Sequence, residues 1–202
     1  MTVLPNAPAA ARNSDAILAV IRHEFASAHA VLEIGSGTGQ HAVRFAAELP
    51  GLTWQPSDLA EHHEAIQAWI TARGGNNIRE PLLIDVRKTG PIAGPYDAIF
   101  SANTAHIMSF DAVTAMFDLA GRTLESGGVF CLYGPFNLHG AFTSGSNEAF
   151  DSALRARDPS MGIRDLAELE HLAADNGMVL RRRYAMPANN MVLVFAKNGV
   201  TR

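Results

Sequence analysis

The residues best suited to ligand chemistry lie in the segment Val31 to Gln40, where three glycines alternate with other residues at Gly35, Gly37 and Gly39. A short apolar run of strand-forming residues precedes them, and helical apolar spacing begins at Gln40. Glycine lets the backbone turn sharply and approach a ligand closely, because it has no Cβ. The free N–H groups and positive dipole end of the following helix then face that ligand. The segment therefore predicts a strand, a ligand-binding turn and a helix.

The residues after the third glycine discriminate between the ligands that use such a turn. A phosphate-binding P-loop needs Gly-Lys-Ser/Thr there, and Gln40 and His41 follow Gly39 instead, which excludes it. The dinucleotide pattern Gly-x-Gly-x-x-Gly needs glycine at position 40, so that interpretation is weakened but stays open. A tight turn without any ligand is the structural alternative, since short motifs also match by chance.

The pattern Glu-x-Gly-x-Gly-x-Gly, which begins at Glu33, resembles the first motif of class I S-adenosylmethionine-dependent methyltransferases. This resemblance implies that the glycine loop meets the methionine end of S-adenosylmethionine (SAM) and that Glu33 helps to hold its amino group. SAM carries an ammonium, a carboxylate and a sulfonium but no phosphate, which suits a loop without Lys or Arg. The loop residues that the resemblance assigns to the cofactor are Glu33, Gly35, Ser36, Gly37 and Gly39.

Length and composition indicate one globular domain over residues 1–202, because 48% of the residues are hydrophobic and 18% are charged. The net charge of −4 gives no broad basic face, so we expect a small-molecule substrate and neither broad nucleic-acid binding nor membrane binding. The single cysteine, Cys131, lies in an apolar run and predicts a buried thiol in a reducing compartment. With no signal-like or membrane-spanning segment, we expect a cytoplasmic protein.

Strand-like and helix-like segments alternate along most of the chain. Residues 1–12, rich in Ala and Pro, predict an irregular N-terminal arm, and Asn13 or Ser14 predicts the cap of a first helix. Strands are predicted at 31–34, 52–55, 82–86, 96–100, 129–133, 178–184 and 191–196. The last two are joined by a short turn and must be antiparallel, since a parallel crossover needs about a dozen residues. This layout resembles the α/β, three-layer, Rossmann-like sheet of class I methyltransferases, which implies strand order 3-2-1-4-5-7-6 with strand 7 antiparallel.

Two further acidic residues follow predicted strands. Asp58 follows the second strand, where an acidic residue would meet ribose hydroxyls, with Leu59 beside it. A helix N-cap is the alternative use of Asp58. By the methyltransferase pattern, Asp85 would contact the adenine amino group and Val86 the ring, whereas a solvated loop position is the alternative for Asp85.

Residues just beyond the fourth strand are expected to face the reacting centre, because the strand order reverses between strands 1 and 4 and ligands bind there. His106 is the predicted general base, since an unperturbed histidine has a pKa near neutrality. Asn103, which also borders the cofactor, and Tyr133 are predicted to orient the methyl acceptor. A loop histidine bonded to backbone is the alternative for His106.

Two other segments carry predictions. Residues 134–162 begin without periodicity, and long stretches of that kind are usually functional or mobile, so we expect a substrate lid. His62 and His63 are flanked by acidic residues, but neighbouring helical positions point in different directions and no spaced third ligand follows. We therefore predict no metal site.

Six short phrases together resemble the methyltransferase-like protein 26 family over nearly the whole chain: 10–13 AARN, 36–41 SGTGQH, 54–58 WQPSD, 133–136 YGPF, 162–165 GIRD and 186–190 MPANN. The resemblance implies the fold and SAM as cofactor, but brings no substrate. The prediction is thus a SAM-dependent methyltransferase acting on a small-molecule acceptor. A nicotinamide-dinucleotide oxidoreductase and a non-catalytic cofactor-binding module stay open as alternatives.

Overall fold

The computed structural model describes residues 4–90 and 92–199 of the chain. The helices are α1 (Pro8–Glu24), α2 (Gln40–Glu48), α3 (Ala60–Arg73), α4 (Phe110–Thr123), α5 (Gly145–Arg157) and α6 (Leu166–Asp175). The strands are β1 (Ala30–Ile34), β2 (Thr53–Asp58), β3 (Leu82–Leu83), β4 (Tyr96–Ala102), β5 (Leu124–Gly134), β6 (Phe136–Asn137), β7 (Arg164–Asp165), β8 (Met178–Met186) and β9 (Asn190–Lys197). Within these described ranges, every helix is too short or too polar to cross a membrane.

Seven strands form one sheet in the order β3-β2-β1-β4-β5-β9-β8, and β6 pairs with β7 in a separate small sheet. The first five of the seven run parallel, while β9 is antiparallel to both β5 and β8. With β8 and β9 counted as the sixth and seventh strands of the large sheet, the predicted order 3-2-1-4-5-7-6 is confirmed. The carboxyl ends of β1, β2, β4 and β5 therefore meet at one edge of the sheet, which we call the carboxyl edge.

Helices cover both faces of this sheet. Side chains alternate between the two faces along each strand, so each face carries its own set of apolar residues. On one face, Val31 packs with residues of α1 and α2 in a core that includes Phe45, Trp54 and Phe100. The rings of these three aromatic residues lie with centroids 5.6 to 6.0 Å apart. On the other face, Leu32 packs with residues of α4 and α6. Both faces are buried, which is the usual state of a parallel sheet.

The N-terminal arm is shorter than the sequence predicted. Helix α1 begins at Pro8 with Ala7 as its N-cap, so Asn13 and Ser14 lie inside the helix instead of capping it. Proline is well placed in a first helical turn, where its missing N–H has no partner to lose, and the alanines that follow are strong helix formers. Residues 1–3 of the predicted arm lie outside the described residues.

The boundaries of β2 and β3 also differ from the prediction. Strand β2 continues through Pro56, which lies opposite Glu33 in the parallel pairing with β1. Strand β3 ends at Leu83, and the predicted strand residues Asp85 and Val86 lie beyond it. Because the Asp85 carboxylate accepts the backbone N–H of Arg87 at 3.1 Å, the chain turns there and does not extend.

The C-terminal end of α1 is fixed to β8 by the buried carboxylate of Glu24. This carboxylate accepts hydrogen bonds from Arg181, Arg182 and the Tyr184 hydroxyl, and its distance to Arg182 Nη1 is 2.8 Å. Successive side chains of a regular strand point to opposite faces, but a register shift between Leu180 and Arg182 lets both arginines reach Glu24. Burial raises the pKa of Glu24, and the three hydrogen bonds outweigh it, so the pKa lies below its ordinary value.

Replacing Glu24 with leucine is expected to lower the free energy of unfolding by about 2 kcal/mol at pH 7, the value of hydrogen bonds to a charged group. Since the folded-state pKa is depressed, this contribution is present at neutral pH and is lost as the pH falls through that pKa. The difference between E24L and wild type should therefore shrink at pH 3, as measured by urea denaturation. R183A, which removes an exposed neighbour, is the control. Equal losses in both variants would contradict the role of Glu24.

Candidate functional site

The glycine loop after β1 contains three glycines with left-handed backbone conformations. Gly35, Gly37 and Gly39 have φ angles of 76°, 58° and 86°, which L-residues with a side chain rarely adopt. The backbone N–H groups of Gly35 and Ser36 both donate to the Ser57 carbonyl at 3.0 Å. The loop is therefore held against the end of β2, and α2 begins directly after it, as predicted.

Space around the loop differs at each glycine. A Cβ at Gly35 would collide with the Thr104 side chain, and one at Gly39 would lie 2.9 Å from the Ile66 Cα. A Cβ at Gly37 would meet nothing within 4 Å. The loop is thus packed at one end against the residues that follow β4 and at the other against α3, and its backbone is approachable in the middle.

Asp58 lies beside this open part of the loop. Its Oδ2 accepts the Gly37 N–H at 2.7 Å, and its Oδ1 accepts the Leu59 N–H at 2.7 Å. Helix α3 begins after Leu59 as its N-cap, with no side-chain cap bond, so the helix-cap alternative for Asp58 is wrong. Leu59 remains 37% exposed next to it.

Glu33 lies beneath the loop and is only 2% exposed. Its Oε2 accepts the indole N–H of Trp54 at 2.9 Å. Burial raises the pKa of Glu33 to about 7; hydrogen bonds from Trp54 and Ser36 oppose the shift, and the charge of Asp58 adds to it. A carboxyl group in this state gains most from a cationic group, which would stabilise its ionised form.

Asp85 and Val86 are placed differently from the loop residues. The Asp85 carboxylate is paired with the side chains of Arg87 and Lys88, at 3.4 and 3.2 Å. Burial raises the pKa of Asp85, but the bonds from Arg87 and Lys88 outweigh it and hold the pKa low. Val86 is 8% exposed and belongs to the core on the α4 face. No contact joins these two residues to the glycine loop among the described hydrogen bonds, and their adenine role stays a prediction.

Asn103 follows β4 and adopts a left-handed φ of 60°, which is uncommon for a residue other than glycine. Its backbone N–H donates to the Tyr133 carbonyl at 2.9 Å, and its neighbour Thr104 packs on Gly35. Asn103 is therefore brought to the seam between the glycine loop and the end of β5. Strained backbone of this kind concentrates at functional sites.

His106 is buried beyond the same strand, at 5% exposure, with its ring edge-on to Phe150 at a centroid distance of 5.3 Å. Burial, together with the charges of Arg164 and Arg157, lowers the pKa of His106 to about 4. The expectation of a pKa near neutrality is therefore wrong, because the residue is desolvated beside cations. The imidazole is neutral at pH 7, and the role of His106 as a base stays a prediction.

Tyr133 lies on the opposite face of the sheet from His106. It is 4% exposed and packs in the core on the α1 face, whereas the His106 ring lies against Gly134 on the other face. Burial raises the pKa of Tyr133, while a hydrogen bond from Asn13 opposes the shift. The three predicted catalytic side chains are thus at one edge of the sheet, but His106 and Tyr133 approach it from different sides.

The sequence did not identify a buried polar cluster formed by Asn13, His41 and Tyr133. His41 Nε2 lies 2.8 Å from Asn13 Oδ1, and its ring stacks on Phe45. Burial lowers the pKa of His41 to about 4, so it is neutral. Asn13 and His41 both lie within the phrases quoted above, but nothing in their spacing predicts contact between α1 and α2.

The segment before α1 lies against the start of α2 and the second half of α3. The Trp69 indole N–H donates to the Pro5 carbonyl at 2.7 Å, and Gln40 Nε2 donates to Asn6 Oδ1 at 3.2 Å. The backbone N–H of Ala7 donates to Gln40 Oε1. Residues 5–7 are therefore fixed beside the glycine loop by the first residue of α2.

The predicted lid, residues 134–162, contains β6 and α5 and is fastened to the loop after β4. The Arg164 guanidinium donates to the carbonyls of Ala105, Met108 and Ser160, and the Gly162 N–H donates to the His106 carbonyl at 3.0 Å. The segment is thus packed against the loop after β4. Its role toward a substrate stays a prediction.

His62 and His63 both approach Asp58, the first at 4.0 Å from Oδ1 and the second at 3.1 Å from the carbonyl oxygen. Within residues 4–90 and 92–199, no group of three or more His, Cys, Asp or Glu residues is arranged to hold a metal ion.

The family described as "Protein of unknown function (DUF938)" matches residues 4–197 of this chain. The chain belongs to the DUF938 family. This membership covers every element of the fold and the whole carboxyl edge, but the family description carries no activity.

Solved structures similar to this DUF938 chain include several described as methyltransferases. An O-methyltransferase family protein from Burkholderia thailandensis has a TM-score of 0.79 and 16% identity, covering 93% of this chain and 57% of its own. The mitomycin 7-O-methyltransferase MmcR has a TM-score of 0.80 and 17% identity, covering 94% and 54%. The O-methyltransferase NcsB1, solved with SAM and 2-hydroxy-5-methyl naphthoic acid, has a TM-score of 0.76 and 16% identity, covering 93% and 54%. The chain spans little more than half the length of these proteins, and at this identity the likeness establishes the fold.

A Gly39→Ala substitution is expected to lower the free energy of unfolding of the DUF938 chain by about 3 kcal/mol, because a left-handed φ and a backbone clash with Ile66 both oppose a Cβ. Urea denaturation would measure this loss. Gly51→Ala is the matched control, since a Cβ there meets nothing within 4 Å. If both variants are equally stable, the loop is not packed against α3 as described.

Proposed function

We propose that this chain is a SAM-dependent methyltransferase that acts on a small-molecule acceptor. The observation that carries the proposal is a glycine loop whose middle is open at Gly37 and whose borders are the carboxylates of Glu33 and Asp58. No Lys or Arg lies between Gly35 and Gly39. A ligand with a cationic group and free hydroxyls, but no phosphate, fits this set of groups, and SAM is such a ligand.

Each residue near the loop has a distinct proposed role. Glu33 would hold the ammonium group, and Asp58, already fixed by two backbone N–H groups, would accept the ribose hydroxyls. Leu59, Asp85 and Val86 would border the adenine. Gly35, Ser36, Gly37 and Gly39 would present their main chain to the methionine end, beside Asn103.

Bound SAM would supply a methyl group already activated on a sulfonium. The chain would have to position an acceptor and to remove water from it. Proximity of this kind contributes about 7 to 11 kcal/mol toward lowering the reaction barrier. Asn103 and Tyr133 would orient the acceptor at the carboxyl edge. Residues 134–162, the predicted lid, would exclude water.

His106 is the proposed base for an O–H or N–H acceptor. Its low pKa keeps the imidazole unprotonated at neutral pH, so it is free to accept a proton. The same low pKa makes it a weak base, which suits an acceptor whose own proton is acidic.

The quoted sequence phrases support a relation to the methyltransferase-like protein 26 family. The likeness in fold to NcsB1, which was solved with SAM, and to PigF, which was solved with SAH, supports the proposed cofactor.

Calorimetry with SAM, S-adenosylhomocysteine and NAD tests the cofactor directly. We expect SAM and S-adenosylhomocysteine to bind and NAD to produce no heat.

Asp58→Ala should weaken SAM binding tenfold or more, because the ribose hydroxyls lose a charged acceptor. Hydrogen bonds to charged groups are worth about 1.5 to 3 kcal/mol. Binding of NAD without SAM would establish the oxidoreductase alternative. Binding of SAM with no methyl transfer to any small molecule would favour the non-catalytic module.

The pH dependence of SAM binding tests the role of Glu33. The ionised carboxylate should bind the ammonium group, so the dissociation constant should fall about tenfold per pH unit up to the pKa and then level off near pH 7. In Glu33→Gln the affinity should be weaker and nearly independent of pH between 5.5 and 7. Parallel pH profiles for the wild type and E33Q would refute this role.

A further inference from the structure

The side-chain oxygen Oδ1 of Asn137 is buried and has no hydrogen-bond partner among the described residues. Buried polar atoms in folded proteins are almost always hydrogen-bonded, so an unpaired one requires an explanation. Thr123 Oγ1 is the other unpaired buried side-chain atom in residues 4–90 and 92–199. It lies at the end of α4, immediately before β5 begins at the opposite edge of the sheet.

Asn137 lies just beyond β5, at the carboxyl edge. Its neighbour Phe136 is buried in the core on the α4 face and lies against Gly134, as the His106 ring does. In open α/β sheets, ligands bind outside the carboxyl ends of the strands.

The backbone at Asn137 is held on both sides. Strand β6 pairs with β7, placing Phe136 beside Arg164 and Asn137 beside Asp165. The next residue, Leu138, exchanges two backbone hydrogen bonds with Ala141, at 3.0 and 3.1 Å. The backbone that carries the unpaired oxygen is therefore fixed, as a pre-organised binding group requires.

We propose that Asn137 Oδ1 accepts a hydrogen bond from the methyl acceptor, an inference that rests on the function proposed above. A carbonyl oxygen only accepts, so its partner must be a donor. The acceptor molecule is therefore a small molecule with an O–H or N–H group, which excludes acceptors that present only carbon or thioether atoms. Asn137 is a substrate-binding residue that fixes the orientation of this donor.

The first test compares the stability of Asn137→Leu with that of Thr123→Val. Each variant replaces an unpaired buried oxygen with apolar atoms of similar size, and we expect the melting temperature of both to be unchanged or higher. If Asn137 instead holds a structural water, N137L loses those hydrogen bonds and its melting temperature falls. A lower melting temperature in N137L alone overturns the proposal.

The second test measures methyl transfer from methyl-labelled SAM into the fraction of a cell extract below one kilodalton. We expect N137L to transfer at least tenfold less label than wild type, with SAM affinity unchanged by calorimetry, and T123V to match the wild type. Equal transfer by N137L overturns the proposal, as does SAM binding by wild type with no transfer into the extract. Failure of the wild type to bind SAM would overturn the proposed function itself.

Discussion

The close packing of the glycine loop is the constraint on which the rest of the carboxyl edge depends. Left-handed backbone at Gly35 and Gly39 brings the loop against Thr104 after β4 and Ile66 in α3, at distances that leave no room for a Cβ. The same loop donates two N–H groups to the Ser57 carbonyl in β2. Three strand ends and two helices are therefore positioned by one short stretch of main chain, and Gly37 is left open between them.

The charges around this opening then determine which kind of ligand it favours. The loop has no cation of its own, and two carboxyl groups lie close enough for the charge of Asp58 to raise the pKa of Glu33. On the far side of the loop after β4, burial and the charges of Arg164 and Arg157 lower the pKa of His106. The carboxyl edge therefore carries carboxyl groups where a cationic nucleoside is proposed to bind and positive charges beside His106, the proposed base. A proton leaving the acceptor would meet a neutral imidazole there.

Patterns that are local in the sequence predicted most of the fold. The antiparallel pairing of β8 and β9 followed from the short turn between them, whereas the strand order came from the resemblance to class I methyltransferases. The start of α1 was predicted too late, since composition alone could not show that Pro8 enters the first helical turn. Strand β3 was predicted too long, because the pairing of Asp85 with Arg87 turns the chain.

The candidate site was predicted less completely, because burial depends on contacts between distant segments. The positions of the glycine loop and Asp58 followed from their place after strands, whereas the pKa of His106 depends on its burial and on Arg164, far along the chain. Nothing in the sequence could pair Asn13 with His41 or isolate the oxygen of Asn137. A crystal structure of the chain soaked with S-adenosylhomocysteine tests the central claim most directly. The account predicts the nucleoside over Gly37 with its ribose on Asp58. A nucleoside bound elsewhere, or none at saturating concentration, would contradict it.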